Sequence, residues 1–338
     1  QAETWDNGKP IRETMAADIP LAIDHFRYFA GVLRGQEGTM SEIDADTVAY
    51  HFHEPLGVVG QIIPWNFSIL MAAWKLAPAL AAGNCIVLKP AEQTPAAIMV
   101  FAELVADLLP AGTLNIVNGM GPDVGGPLAT SPRIAKIAFT GSTETGRIIM
   151  KAATENLIPV TLELGGKSPN LVFADCDLEA RVAASVRECM FNTGQSCDAP
   201  TRLLVERSCY DEALQIARRT MEAIRVGDPA QAGDHIGPLF DRIQYDRVQA
   251  MIKVGLAEGA TLLAGGLGKP EEATTGWFAK PTIFADVSND MRIAQEEIFG
   301  PVLVIIPFDD EAEAIKIAND TPYGLAAYLQ TGDLERAQ

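Results

Sequence analysis

The sequence predicts an α/β fold in two units, each built on a parallel sheet, and three observations carry that prediction. Buried-strand and helix signals alternate along the chain, a pattern that pairs strands in parallel through helical crossovers. The alternation restarts after Glu163, as it would where a second unit begins. No repeat, low-complexity tract or long linker interrupts either half.

The elements follow in order. Residues 17–35 place aromatic and aliphatic side chains at helical spacing. Residues 47–53 alternate like an exposed strand, and the apolar run over 57–63 suits a strand buried on both faces. A helix is expected after Pro64, a second buried strand over 84–89, a helix over 96–109 and a strand over 113–117. Residues 136–140 form a fourth strand that turns through glycine into a helix near Thr145. That series, up to about residue 160, is the pattern of a nucleotide-binding fold. Beyond it come a strand over 170–173, a helix over 178–191 and a strand over 202–205.

Composition bounds the function. A chain of 338 residues with 48% hydrophobic and 21% charged residues buries a large core and is not disordered. A net charge of −18 opposes any phosphate-rich partner, so neither nucleic acid nor an anionic membrane surface is expected. The longest apolar stretch, 69–88, is broken by Lys75, Pro78 and Asn84, which argues against a membrane span. Cys85, Cys176, Cys189, Cys197 and Cys209 are odd in number and contain no CxxC pair. They suit neither a disulfide framework nor a zinc site, so no metal and a reducing, cytoplasmic setting are expected. No basic segment followed by an apolar one marks a signal peptide. The sequon at Asn66-Phe67-Ser68 therefore carries no weight.

Three glycine clusters invite a phosphate-binding reading. Phe139-Thr140-Gly141-Ser142-Thr143 sits where a strand gives way to a helix, so backbone amides and the helix dipole would face an anion. Its spacing is not GxGxxG, and a plain strand–turn–helix corner competes with that reading. Gly119-Met120-Gly121 with Gly125-Gly126 has one residue too many for the fingerprint and suits a loop. Gly165-Gly166-Lys167-Ser168 imitates the end of a Walker A loop, but the earlier glycine that loop needs is Thr161.

Reactive residues lie among flexible ones in two segments, Thr161-Leu162-Glu163-Leu164-Gly165-Gly166-Lys167 and Phe191-Asn192-Thr193-Gly194-Gln195-Ser196-Cys197. Four of the cysteines suit small buried hydrophobes. Cys197 instead follows a helix end and a Gly-Gln turn, flanked by Ser196 and Asp198, as a reactive thiol would. These segments, with Pro64-Trp65-Asn66-Phe67, Lys89-Pro90-Ala91-Glu92, the Phe139 turn and Glu296-Glu297-Ile298-Phe299-Gly300-Pro301, resemble the aldehyde dehydrogenase superfamily across essentially the whole chain.

The resemblance implies a Rossmann-type NAD-binding domain over 1–164 and an α/β catalytic domain over 165–338. It also implies part of an oligomerisation hairpin at about 44–57. Cys197 would attack an aldehyde, with its own amide and Asn66 forming the oxyanion hole and Glu163 activating the hydrolytic water. Lys75 either assists proton transfer or is a helix lysine that snorkels. Ile63, Trp65, Gly121, Gly141 and Ser142 would line the cofactor, and Lys89 and Glu92 would hold its adenosine ribose. The Glu92 carboxylate favours NAD over NADP. Glu297 would hold the nicotinamide ribose and Phe299 would pack on the ring; by themselves these two residues suit a helix end and a core aromatic.

Complete family members are longer at both ends. With Gln1 in place of a starting Met and Gln338 inside an expected helix, the chain is expected to be a piece of a longer enzyme. The partner of the 47–53 strand is expected to be partly missing, and a homodimer or homotetramer is expected where those ends are present. Residues 17–30 resemble bacterial acetaldehyde dehydrogenases, whereas Asp198-Ala199-Pro200-Thr201-Arg202 looks like other branches, so substrate size stays open. Two alternatives stand beside this reading. One is a CoA-acylating dehydrogenase, which has no need of Glu163 as a base for water; the other is an inactive fold with a binding role.

Overall fold

The computed structural model describes residues 1–273 and 275–338. The chain divides into two compact units, one of Thr14–Glu163 and one of Leu164–Gln338 together with Glu3–Glu13. The N-terminal segment thus clusters with the second unit, where the sequence placed it with the first.

In the first unit, helix α1 (Ile19–Gly35) opens with Pro20, whose missing N–H has no intrahelical acceptor in a first turn anyway. A hairpin follows, β1 (Thr39–Asp44) against β2 (Thr47–His51), antiparallel with Thr39 opposite His51. This corrects the expectation that the partner of the 47–53 strand is partly missing, because that partner lies within the chain at Thr39–Asp44. Ser41, Glu42 and Asp44 are poor strand formers, so only the ladder to β2 reveals the strand. A five-stranded parallel sheet runs in the order β5-β4-β3-β6-β7, formed by β3 (Val58–Ile62), β4 (Cys85–Lys89), β5 (Leu114–Ile116), β6 (Lys136–Thr140) and β7 (Val160–Glu163). Ile86, Leu88 and Ile137 are wholly buried in it. Side chains of that kind each contribute about 1.5–3 kcal/mol by leaving water. Crossovers include α2 (Ser68–Ala81), α3 (Ala96–Val105) and α4 (Thr143–Ala153). His25 of α1 stacks on Trp74 of α2 with ring centroids 5.3 Å apart. Helix α3 stops at Val105, short of the expected 109, and Leu104 and Leu108 stand exposed. No apolar burial rewards a further turn there.

In the second unit, six strands take the order β12-β13-β14-β9-β8-β15. They are β8 (Pro169–Val172), β9 (Arg202–Glu206), β12 (Thr261–Ala264), β13 (Thr282–Ala285), β14 (Val302–Phe308) and β15 (Tyr328–Gln330), and all pairs are parallel except β12 with β13. A short parallel pair, β10 (Arg225–Val226) and β11 (His235–Ile236), stands apart. Strand β14 shows why the sheet is covered on both faces. Leu303 and Ile305 enter one apolar cluster with α5 (Leu178–Met190) and α6 (Tyr210–Glu222), while Val302, Val304, Ile306 and Phe308 enter another with α7 (Arg242–Ala257) and α8 (Glu311–Asn319). The period of two along a strand sends alternate side chains to opposite layers.

Candidate active site

The chain order reverses across the first sheet. From β3 it steps outward to β4 and β5, then returns to β6 and β7 on the other side. In doubly wound sheets such a switch point opens a crevice at the carboxyl ends of the strands. Strand β3 ends there into Ile63, Trp65 and Asn66, and β6 ends into Gly141 and Ser142. Ile63 and Asn66 are buried, and the Ile63 amide donates to the Lys89 carbonyl at 3.1 Å. Trp65 is half-buried, and its carbonyl accepts from the Ser68 hydroxyl at 3.2 Å.

Ser142 caps α4 by accepting from the Thr145 amide at 3.2 Å. Amides in a first turn lack intrahelical partners and carry the positive end of the helix dipole, which suits an anion. The Gly141 amide donates to the Glu163 carbonyl at 3.0 Å, tying this turn to the end of β7. At the end of β4, the Lys89 ammonium lies 2.9 Å from Glu92. Burial raises the Glu92 carboxyl, but the hydrogen bond and charge of Lys89 outweigh it and the net shift is downward. Glu92 is therefore an anion at neutral pH. Gly121 opens a short helical turn, Gly121–Gly125, with open space where a Cβ would stand, so sterics do not demand glycine there.

Lys75 is buried on α2. Its ammonium donates to the Thr140 hydroxyl and its carbonyl accepts from the Gln61 amide at 2.8 Å. With Gln61, Trp74, Thr161 and Glu163 it lines a cavity of 370 Å³ inside the first unit. Glu163 itself is exposed at the end of β7. The structure thus brings Lys75 and Glu163 to one cavity of the first unit, whose lining does not include Ile63, Asn66 or Ser142.

Cys197, Glu297 and Phe299 belong to the second unit. After α5 the chain bends through Asn192 (φ 49°), Thr193 (φ 56°) and Gly194 (φ 71°), three consecutive left-handed residues. Gln195 secures the bend, its side-chain amide donating to the Asn192 carbonyl at 3.1 Å and its oxygen accepting from the Phe240 amide at 2.9 Å. Cys197 is half-buried and belongs to neither apolar cluster. Cys189 and Cys209 are core residues, and burial pushes the Cys189 thiol up to about 12. Burial, then the charges of Asp198 and Glu297, push Cys197 up to about 11, so its sulfur rests as a thiol.

Gly165 and Gly166 explain how Glu297 comes near. A Cβ on Gly166 would lie 2.4 Å from the Cys197 carbonyl oxygen, and one on Gly165 would lie 2.3 Å from the Glu297 carboxylate. Only bare backbone fits against both. The Gly166 amide donates to Glu297 at 3.1 Å, while burial dominates and raises that carboxyl. Phe299 is held at φ 60°, and its carbonyl accepts from Gln244 of α7 at 2.6 Å.

Gln195 and Gln244 are holders to which sequence reasoning assigned no role. Gln195 lies inside a recognised segment, whereas nothing local marks Gln244. Lys167 adds a further surprise. It is 2% exposed, its ammonium has no hydrogen-bond partner among the described residues, and burial lowers it to about 7. Among the described residues no group of three His, Cys, Asp or Glu converges as a metal site would, and no helix is long and apolar enough to cross a membrane.

Comparison with known proteins agrees with this layout. The aldehyde dehydrogenase family profile matches residues 1–338. An aldehyde dehydrogenase of Deinococcus radiodurans is 59% identical over 99% of this chain and 66% of its own length. A long-chain-aldehyde dehydrogenase of an Acinetobacter species is 59% identical over 96% of this chain and 65% of its own. The chain therefore spans a little under two thirds of these relatives. Betaine aldehyde dehydrogenase from Staphylococcus aureus, solved with NAD+, superposes with a TM-score of 0.97 at 38% identity, covering 100% of this chain and 67% of that one. With its parallel sheets, switch-point turn and glycine-flanked cysteine loop, the chain belongs to the aldehyde dehydrogenase family.

Proposed function

We propose that the protein oxidises an aldehyde to a carboxylic acid, with Cys197 as nucleophile and NAD as hydride acceptor. One observation carries the reading: the left-handed loop bearing Cys197 is pinned by Gln195 and pressed against Gly166, which in turn is bonded to Glu297. A cysteine held this way, outside the apolar core, is placed for chemistry rather than packing.

Because its thiol is raised to about 11, Cys197 gives up its proton to solvent water as its sulfur attacks the carbonyl carbon, leaving the former carbonyl oxygen as an anion. Its own amide and that of Asn66 donate to the oxygen of the resulting thiohemiacetal, each worth about 3 kcal/mol. A bound nicotinamide supplies a hydride acceptor for this adduct. The thioester left on sulfur is hydrolysed by a water from which Glu163 takes the proton, returning the thiol and releasing the acid. Lys75, donating to Thr140, carries protons in the Glu163 cavity.

The residues present fit the cofactor. Glu92 is ionised and Lys89 is a fixed donor, a pair that suits a ribose diol. The Gly141-Ser142 turn at the start of α4 suits a pyrophosphate, with Ile63, Trp65 and Gly121 along the same strand ends. Glu297 and Phe299 would serve the nicotinamide ribose and ring. An anionic Glu92 repels a 2′-phosphate, which favours NAD over NADP. We place the protein in the cytoplasm, on its five free cysteines, and assign it a homodimer or homotetramer to which the hairpin β1–β2, with Met40, Ile43 and Tyr50 exposed, contributes.

The test is Cys197→Ser assayed for NADH formation with an aldehyde panel, with NAD and NADP in parallel. Activity is expected to vanish; a variant with full turnover refutes the mechanism. The runner-up, acyl transfer to CoA, is excluded when wild-type turnover is independent of added CoA. Failure of a folded chain to bind NAD in calorimetry would favour a binding role without catalysis.

A further inference from the structure

The bend before Cys197 runs against the preferences of its own residues. Asn192 tolerates left-handed angles, but a β-branched residue such as Thr193 rarely adopts them. Contacts from distant parts of the chain hold it. The Thr193 hydroxyl donates to the Gly237 carbonyl at 3.1 Å, and the Asn192 amide donates to the Glu13 carboxylate at 2.8 Å.

Glu13 is an unusual partner. It is 1% exposed, and its other carboxylate oxygen lies 3.0 Å from the Arg12 guanidinium. Taking a carboxylate out of water is costly unless it serves donors, and a charge-assisted bond to a backbone amide is among the stronger ones available. Here that bond falls on the residue where the helix α5 gives way to the bend. From Asn192 the chain has little freedom before Cys197. Gln195 ties back to Asn192, and a Cβ on Gly194 would lie only 2.1 Å from the Gly300 carbonyl oxygen. A rotation at Asn192 is therefore passed on to the sulfur.

We propose that Glu13 is a positioning residue for the nucleophile: its buried carboxylate fixes the Asn192 amide and so sets where the Cys197 sulfur stands. The proposal rests on the reading of Cys197 as nucleophile. It also makes a chemical-rescue test available. A 200 Å³ cavity lined by Arg12, Glu13, Arg187, Phe191 and His235 adjoins this residue, so Glu13→Ala would open space next to it that a small anion can fill.

The experiment uses the full chain as wild type, Glu13→Ala, Glu13→Gln and Glu13→Asp, with circular dichroism to establish folding. Iodoacetamide alkylation of Cys197 is followed against pH by peptide mass spectrometry, and aldehyde turnover is measured with and without formate. For Glu13→Ala, kcat falls about tenfold or more while the KM for NAD stays within about twofold. The pH midpoint of alkylation drops by about one unit or more toward the ordinary thiol range, because a loosened loop admits water to the sulfur. Glu13→Gln, which keeps an oxygen acceptor, stays close to wild type on both readouts. Formate restores part of the Glu13→Ala rate and does nothing to wild type.

A folded Glu13→Ala that matches wild type in kcat and alkylation midpoint overturns the proposal, as does a Gln variant as impaired as Ala with no formate rescue. If Glu13→Ala does not fold, Glu13→Asp decides, since its shorter reach must lower kcat and shift the midpoint; wild-type values there overturn the proposal. Failure of the functional reading is separate, because it appears as activity retained in Cys197→Ser while the alkylation results at Glu13 stand on their own.

Discussion

The turn after β6 and the loop after α5 both bend the chain sharply, but the first, apart from one bond from Gly141 to Glu163, closes on itself and the second is clamped from afar. Ser142 bonds Thr145 three residues along, and after β4 Lys89 bonds Glu92 at the same spacing. The Cys197 loop leans on Glu13, Gly237, Phe240 and Gly300, which come from three separate stretches of chain. The treatment of buried lysines differs in the same direction. Lys89 is paired with Glu92, whereas Lys167, beside Gly166, has no hydrogen-bond partner among the described residues. A self-contained turn survives changes elsewhere; a clamped loop inherits every defect of its supports.

The largest expected effect follows from the clamp. Gly194 lies at φ 71° with the Gly300 carbonyl 2.1 Å from a would-be Cβ. Gly194→Ala meets both an unfavourable backbone angle and a backbone wall, and a loss on the order of 3 kcal/mol is expected. Gly121→Ala, in open space, should change stability by less than about 0.5 kcal/mol. Urea denaturation of the two variants, followed by exchange of amides in each region, measures the gap. Equal losses would mean that the left-handed angle and the Gly300 wall at Gly194 cost no more than an open glycine site.

The lysines give the next effect, and its sign is fixed by linkage. Folded Lys167 titrates near 7, against about 10.4 for a free lysine. Between those values the unfolded chain holds a proton that the folded chain lacks, so stability rises with pH across that window. The thiols of Cys189 and Cys197, raised to about 12 and about 11, act oppositely once pH exceeds about 8.5, where free thiols ionise first. Cys176 and Cys209 are raised as well, so only the interval from about 7 to 7.5, where few free thiols are ionised, isolates the lysine. In Lys167→Met the rise over that interval should disappear, and the variant should be the more stable of the two below pH 7, where wild type must bury a charge. Thermal melts of both proteins at matched pH values suffice. Parallel curves would mean that Lys167 is solvated or paired in solution.

Legibility in the sequence divides along the same line. The strand ends at Ile62, Lys89 and Thr140 follow from apolar runs with glycine or proline beyond them, all local signals. Cys197 and Glu163 stood out because reactive types sat among flexible ones, whereas Asn66 entered only through the family resemblance. The supports of the nucleophile loop had no such mark, since Glu13 lies 179 residues from Asn192 and Gln244 lies 55 from Phe299. Strand β1 was hidden for a related reason, its polar residues becoming a strand only through the ladder to β2. Local chemistry can be read along a chain; long-range clamps exist only once the chain has folded.

The smallest effect tests the self-contained turn directly. Ser142 satisfies the Thr145 amide at the start of α4, and its hydroxyl also donates to the Thr145 side chain at 2.9 Å. Ser142→Ala removes both bonds and should cost about 1 kcal/mol, the usual value of an N-cap. Because the turn draws on few distant partners, the loss should stay local, appearing as faster amide exchange in the first turn of α4 and leaving the Cys197 alkylation midpoint unchanged. Any cofactor effect should appear as weaker NAD binding in calorimetry, since the cap also orders the amides that would face a pyrophosphate. A Ser142→Ala protein whose Cys197 reactivity shifts as much as that of Glu13→Ala would show that the turn is not self-contained.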